Sequence, residues 1–219
     1  MRPKVVLITP DRNDRPEFIE HCRYQMQRQT FKAYDHLVIN YDPVPGVVDI
    51  VPRVRMGVNL AVEMKADYCL IIENDDYYPD NYIETVIKYL DRFDITGADR
   101  SIYYSLQHNC MKVLEHPGRA SLYLSAFKTE SMKSFVWPED TMLYFDIYLW
   151  ANHRGRKGFV KYAYTPIGLK HGNGFTPGNF HNGVVNGKGM KGMIPDPGRN
   201  WLKSHTRKES FEFYQKLTL

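Results

Sequence analysis

The sequence predicts an α/β domain with a mixed, mainly parallel sheet and helices on both faces. Three observations carry this. Short apolar runs alternate with segments of helical period three times in the first ninety residues. One of those runs, Tyr68–Ile72, is apolar throughout, as a strand covered on both faces must be. It stops abruptly at Glu73-Asn74-Asp75-Asp76, and ligands of such sheets bind beyond the carboxyl ends of the strands.

The elements follow in order. Val5–Ile8 is a β-branched run closed by Thr9-Pro10, which reads as a buried first strand. Pro16 opens a helix to about Gln29, with Asp14 or Arg15 near its cap and Glu17 in its first turn. His36–Asn40 is the second strand, and residues 53–65 form a helix on the spacing of Val54, Val58, Ala61 and Val62. After the apolar strand at Tyr68–Ile72, Pro79 starts a helix whose apolar face is Tyr82, Ile83, Val86, Ile87 and Leu90. Beyond Ile95 the pattern loosens. Ile102–Leu106, Met111–Leu114 and Ala120–Phe127 read as strands, some antiparallel, and Trp137-Pro138-Glu139-Asp140 introduces a helix over 140–152. Val160–Tyr164 and Ile167–Lys170 are short strands, and Ser204–Leu217 is a closing helix.

The chain has 219 residues, enough for one domain with a full core that needs no disulfide or metal to hold together. Its 43% hydrophobic content excludes disorder and collagen, and no apolar run approaches the roughly 18 residues of a membrane span. The four-residue apolar stretch near the start is too short for a signal peptide. Cys22, Cys69 and Cys110 lack metal-like spacing and read as buried thiols of a reducing compartment, so the expected location is cytoplasmic. Charge is split along the chain. Residues 1–151 carry 17 Lys+Arg against 22 Asp+Glu, a net of −5, and residues 152–219 carry 12 against 3, a net of +9. An acidic first part and a basic last part point to a phosphate-bearing partner between them, for which nucleic acid would also suit the charge.

Three carboxylates in four positions repel one another unless a cation or hydrogen-bond donors offset them. A divalent ion with oxygen ligands, Mn²⁺ or Mg²⁺, does so and can bridge to substrate phosphates. The alternative is a solvated acidic turn capping the next helix. His171 ends a short β run, and its imidazole suits a Mn²⁺ already held by carboxylates; a hydrogen-bonded structural histidine is the alternative, and His181 is the second choice as ligand. Gly172–Gly192 is glycine-rich and reads as a lid, with Lys188 and Lys191 placed to meet a diphosphate. Glu139 and Asp140 form a second acidic pair at the expected helix start, where the macrodipole favours an ionised base, or simply a cap. Trp137 reads equally as a sugar-stacking or a core residue, and Asp146 as helix surface. There is no phosphate-binding Gly-x-x-x-x-Gly-Lys-Ser/Thr loop, and no Gly-x-Gly-x-x-Gly follows the first strand.

The segment Leu70–Tyr82 resembles the acidic-motif region of the GT-A nucleotide-sugar glycosyltransferases, among which small single-domain members occur in large algal (chlorella) DNA viruses. The resemblance follows element order over residues 3–150. It implies a GT-A, Rossmann-type fold and a UDP-sugar donor, with Mn²⁺ or Mg²⁺ held by Asp75 and supported by Glu73, Asp76 and His171. Glu73 stands where the family usually has Asp, and Asn74 lies between the two acids. By the same resemblance Thr9, Pro10, Asp11 and Arg12 cradle the nucleobase and Asp42 faces it. Arg53 and Gly57 lie near the ribose and phosphates, Asp99 contacts the donor sugar, and Asp140, then Glu139, faces the acceptor as base. It further implies one domain over 1–219, with a nucleotide-binding half (1–100) and an acceptor-binding half (101–219). The expected partners are a nucleotide sugar and a carbohydrate or glycoprotein acceptor, without a stable nucleic-acid complex. A metal-dependent nucleotidyl or phosphoryl transferase would need a second acidic cluster, which is not evident. A non-enzymatic nucleic-acid or glycan-binding module leaves the acidic strand end unexplained.

Overall fold

The computed structural model describes residues 2–161, 166–171 and 192–217. Of the expected lid over 172–192, every residue but Gly192 lies outside the described residues, His181, Lys188 and Lys191 among them.

The elements run β1 (Val5–Asp11), α1 (Pro16–Gln27), β2 (Asp35–Asn40), α2 (Ile50–Glu63), β3 (Tyr68–Ile71), α3 (Tyr82–Leu90), β4 (Ile95–Gly97), β5 (Arg100–Ser105), β6 (Cys110–Glu115), β7 (Ala126–Lys128), α4 (Phe145–Asn152), β8 (Lys157–Phe159), β9 (Ile167–Lys170), β10 (Ile194–Pro195), α5 (Asn200–His205) and α6 (Lys208–Lys216). Six strands make the main sheet in the order β2-β1-β3-β7-β4-β8. β1 is parallel to both β2 and β3, and β4 is parallel to β8; β7 runs antiparallel between β3 and β4. Helices cover both faces, so the expected mixed, mainly parallel α/β class is observed. Val5 to Ile8 and Cys69 to Ile71 are fully buried, which is why both strands read as unbroken apolar runs. A second sheet, β10-β6-β5-β9, packs its own small core of Tyr104, Leu106, Met111, Ile167 and Leu169 against Leu202, Phe211 and Tyr214. Its β9 lies parallel to β5 and touches the main sheet's acidic turn through an isolated bridge, Tyr77 to Ile167.

Several expected elements are corrected. Residues 120–127 are not one strand: Ser125 Oγ donates to the Ser121 carbonyl at 2.9 Å and winds Leu122–Leu124 into a single 3-10 turn before the three-residue β7. The helix expected over 140–152 begins at Phe145, whose buried ring stacks on Trp137 at 5.6 Å. Glu139 and Asp140 therefore lie outside it, and Trp137 packs with the core. The closing helix is two helices, broken at Thr206, which is extended (φ −120, ψ 160). Of the strand expected over 160–164, residues 162–164 lie outside the described residues, and Val160 and Lys161 follow the three-residue β8. β1 runs past Ile8 to Asp11, so Thr9 and Pro10 are strand residues.

Gly57 sits in α2 where that helix crosses β1 and β2. A Cβ there would overlap Ile8 Cγ2 and stand 3.4 Å from Ile39 Cγ1, so glycine lets helix and sheet approach. Cys22, Cys69 and Cys110 are all buried and free. No helix among the described residues is long and apolar enough to cross a membrane.

Candidate active site

The acidic turn is built by the strands beneath it. β1 and β3 finish in register, Ile8 against Ile71, and Ile72 donates its amide to the Ile8 carbonyl at 2.9 Å. Asn74 Nδ2 then donates to Asp11 Oδ1 at 2.6 Å, tying the two strand ends together. From α1, Gln25 holds the turn twice, donating to the Asp76 carbonyl at 3.0 Å and accepting the Tyr78 amide at 2.8 Å. The Tyr78 hydroxyl accepts the Glu73 amide at 2.9 Å. β9 completes the site by delivering Lys170 and His171 to the same place, and the Leu169 amide donates to Asp76 Oδ1 at 2.8 Å.

The turn opens into a cleft of about 620 Å³. From the β1 and α2 side come Pro10, Arg12, Arg15, Asp49 and Arg53, and from the acidic turn Glu73, Asn74 and Asp75. Opposite in sequence are Tyr103, His116, Arg119, Ser121, Asp146 and Lys170. Ser121 links its neighbours through hydroxyl contacts to Ser101 (2.7 Å) and Tyr103 (2.8 Å) and to His116 Nε2 (3.2 Å). Asp146 Oδ2 pairs with Arg119 Nη1 at 2.5 Å.

One carboxylate oxygen from each of Glu73, Asp75 and Asp76 lies within 4.8 Å of the others. Burial, then the charge of Asp75, pushes the Glu73 carboxyl up to about 7. Burial and Asp75 likewise push Asp76 well above the ordinary carboxylate range, with Lys170 opposing. Burial also works to raise Asp75, but the hydrogen bond with His171 and the charge of Arg15 outweigh it and hold Asp75 below its ordinary value. Lys170 is disfavoured as an ammonium by burial, yet Asp76, Tyr103, Asp75 and Glu73 together raise it. Fully ionised, the three carboxylates would outnumber the two cations beside them, Arg15 and Lys170, and the raised proton affinity of Glu73 and Asp76 is the response to that imbalance.

These residues fit a divalent cation. The donors are hard oxygens, and buried Asp76 keeps an oxygen, Oδ2, with no hydrogen-bond partner among the described residues. Asp75 Oδ2 and His171 Nε2 stand 3.0 Å apart, close enough for both to be offered to one ion.

The other sequence-derived candidates divide. Pro10, Arg12 and Arg53 line the cleft. Arg12 lies near both Asp14 and Asp49, at 3.5 Å each. Arg53 is fully committed elsewhere: it donates to the carbonyls of Asp11, Ile39 (3.0 Å) and Tyr41 (2.7 Å) and pairs with Asp49 at 2.6 Å. It clamps the ends of β1 and β2. Thr9 points into the fold, bonded to His36 Nε2 at 2.7 Å, and does not line the cleft. Asp11 is buried behind Asn74, and Gly57 is a packing position. Asp42 and Asp99 are exposed and outside the cleft lining, Asp42 accepting from Asn13 Nδ2 at 3.2 Å. Glu139 and Asp140 are exposed and also outside it, with Asp140 paired to Arg55 at 2.9 Å.

Asp146, expected on the helix surface, is the helix-start carboxylate that the cleft contains. Burial raises its carboxyl, and Arg119 partly offsets this. The signal lay in Phe145: with the helix begun there, Asp146 falls in its first turn. Lys170 was findable by the strand-end rule that picked out His171. Arg15 and Arg119 carried no local signal.

A comparison with family models finds no match, and neither does one with curated protein sequences. By structure the chain is similar to S. aureus TarS 1–349, at 10% identity and a TM-score of 0.52, over 97% of this chain and 73% of that one. It is also similar to S. aureus TarS 1–349 in complex with UDP, at 14% identity and a TM-score of 0.51, over 76% of this chain and 60% of that one. A197 from STIV matches at 13% identity and a TM-score of 0.45, over 72% of this chain and 82% of that one. At these identities the likeness is one of fold, the GT-A and Rossmann-like α/β class. It does not single out the small algal-virus members.

Proposed function

We propose that this protein is a divalent-cation-assisted glycosyltransferase that uses a nucleotide diphosphate sugar, a UDP-sugar, as donor and a carbohydrate or glycoprotein hydroxyl as acceptor. The observation that carries the reading is a single cleft holding both the acidic turn and a separate carboxylate, Asp146, at the carboxyl ends of parallel strands. The fold likeness to a TarS structure in complex with UDP supports uridine as the base.

Asp75, with Glu73, Asp76 and His171, would hold Mn²⁺ or Mg²⁺, which supplies positive charge to the diphosphate oxygens. Arg12 and Arg15 line the same part of the cleft and add charge toward the leaving nucleotide. Asp146 takes the acceptor hydroxyl proton as that oxygen bonds the anomeric carbon and the bond from carbon to phosphate oxygen breaks. Its raised affinity for protons suits a base working near neutral pH. Ser121, Tyr103 and His116 offer hydroxyl and imidazole groups for orienting a sugar.

Calorimetry with UDP, with and without Mn²⁺, tests the binding half. Wild type should bind UDP at least about tenfold more tightly with Mn²⁺, and Asp75→Asn should lose that gain without unfolding, a scale set by one charge-assisted contact. A panel of nucleotide sugars with Mn²⁺, assayed for nucleotide release with and without acceptors, tests the transfer. UDP affinity indifferent to Mn²⁺ in both proteins, with no nucleotide released from any donor, would defeat the reading.

A further inference from the structure

Arg15 reaches the same two atoms, on Asp75 and His171, that would hold a cation. Arg15 Nη1 lies 3.0 Å from His171 Nε2 and 3.3 Å from Asp75 Oδ2, and those two atoms are themselves 3.0 Å apart. Arg15 Nη2 reaches Asn74 Oδ1 at 3.4 Å. The triangle is frustrated. A neutral His171 Nε2 either donates to Asp75 or accepts from Arg15, and it cannot do both.

Two arginines in this cleft differ in how firmly they are held. Arg53 is 1% exposed, with bonds to three carbonyls and a short pair to Asp49. Arg15 is 17% exposed, and its contacts to Asp75, Asn74 and Asp14 lie at 3.3–3.5 Å, the weak end of the hydrogen-bond range. The Asp14 contact is made by the buried Nε, which meets Asp14 Oδ1 at 3.5 Å without forming a hydrogen bond. It also sits at the N-terminal flank of α1, where its side chain projects into the cleft rather than into the core. A guanidinium so loosely satisfied can leave without unpacking the fold.

We propose that Arg15 is a placeholder for the cation. It neutralises Asp75 while no divalent ion is bound, is displaced from Asp75 and His171 when one binds, and then pairs with the diphosphate that accompanies the ion. This rests on the cation-dependent donor binding proposed above. Cation alone must displace Arg15 without giving it a new partner, whereas cation with nucleotide provides one. The two ligands therefore bind with more positive coupling than their direct contact gives, and Arg15 is the positioning residue that adds it.

The test is titration of the full chain with Mn²⁺, followed by the electron paramagnetic resonance of free Mn²⁺, with and without UDP. Wild type, Arg15→Gln, Arg15→Lys and Asp75→Asn are compared. Arg15→Gln should bind Mn²⁺ alone about tenfold more tightly than wild type, the value of releasing charged hydrogen bonds that compete for its ligands. UDP should tighten Mn²⁺ binding at least about tenfold in wild type, the factor that linkage requires, and by about half that factor or less in Arg15→Gln. Arg15→Lys, which keeps the charge, should stay near wild type for Mn²⁺ alone. A gain of affinity is not something a damaged fold produces. If Asp75→Asn abolishes Mn²⁺ binding but Arg15→Gln binds it no better than wild type, the placeholder role is overturned and the cation site stands. If Mn²⁺ binding ignores Asp75→Asn in every protein, the cation site and the placeholder fall together.

Discussion

Replacing Asp146 and Asp140 separately by asparagine distinguishes the carboxylate inside the cleft from the one beside it. Asp146 is 20% exposed and shares a 2.5 Å contact with Arg119; Asp140 is 54% exposed and pairs with Arg55 at 2.9 Å. Asparagine keeps the size of the side chain and an acceptor for the arginine, so each substitution removes chiefly the ability to take a proton. For a general base that loss is about 10²–10⁴ in turnover, or about 3–5 kcal/mol of transition-state stabilisation. The exposed pair of Asp140 is worth about 0.2–1 kcal/mol, which bounds its effect at about fivefold. Initial rates of nucleotide release, on whichever donor and acceptor the panel identifies, should therefore fall at least about 10²-fold in Asp146→Asn and less than about fivefold in Asp140→Asn. UDP affinity by calorimetry should change less than about threefold in either, since neither side chain belongs to the acidic turn. The reverse order of rates would refute the assignment of Asp146. A parallel fall in UDP affinity and turnover in Asp146→Asn would move that residue to the nucleotide.

Gly57→Ala should lower stability to urea by up to about 2 kcal/mol, because overpacking against Ile8 costs about 1–3 kcal/mol and the better helix former returns about 1. UDP affinity of the folded protein should not change, and unaltered stability with weakened UDP binding would restore Gly57 to the ligand site. His21 and His36 should stay neutral in the folded chain well below pH 6. Burial lowers each to about 4 from 6.5, with Arg23 adding to the effect at His36. Between these values the unfolded chain binds the extra protons, so the contribution of each histidine, about 2–3 kcal/mol, is present above pH 6.5 and is lost as pH falls toward 4. Imidazole ¹⁵N shifts decide this, and a protonation midpoint near 6.5 for both rings would refute it.

What could be read in the chain was what lies contiguous in it. The β1 and β3 runs announced themselves because both faces of each strand are covered, leaving no polar alternation to blur the pattern. The acidic turn did so because four consecutive residues carry it, and Asp75 and His171 do meet, 96 residues apart. The three-residue β7 was read too long, as Ala120–Phe127, since its pairing on both edges comes from β3 and β4 and not from any local period. α4 misled for a different reason. Pro138 and Asp140 form a sound helix-start signal, but the buried Phe145 ring, stacked on Trp137, decides where the helix begins. A five-residue shift exceeds one turn, so it changes which carboxylate the helix start presents, and with it the choice of base. The basic residues show the deeper limit. Arg53 looked free to meet a phosphate, yet it is consumed by carbonyls of β1, β2 and the loop after β2. Arg15 looked like a cap residue, yet its acceptors stand 60 and 156 residues away. A carboxylate cluster declares its function through mutual repulsion, which neighbours in sequence already feel. A lone guanidinium takes its role from whichever acceptors the fold brings to it, and those are assigned only when the strands align.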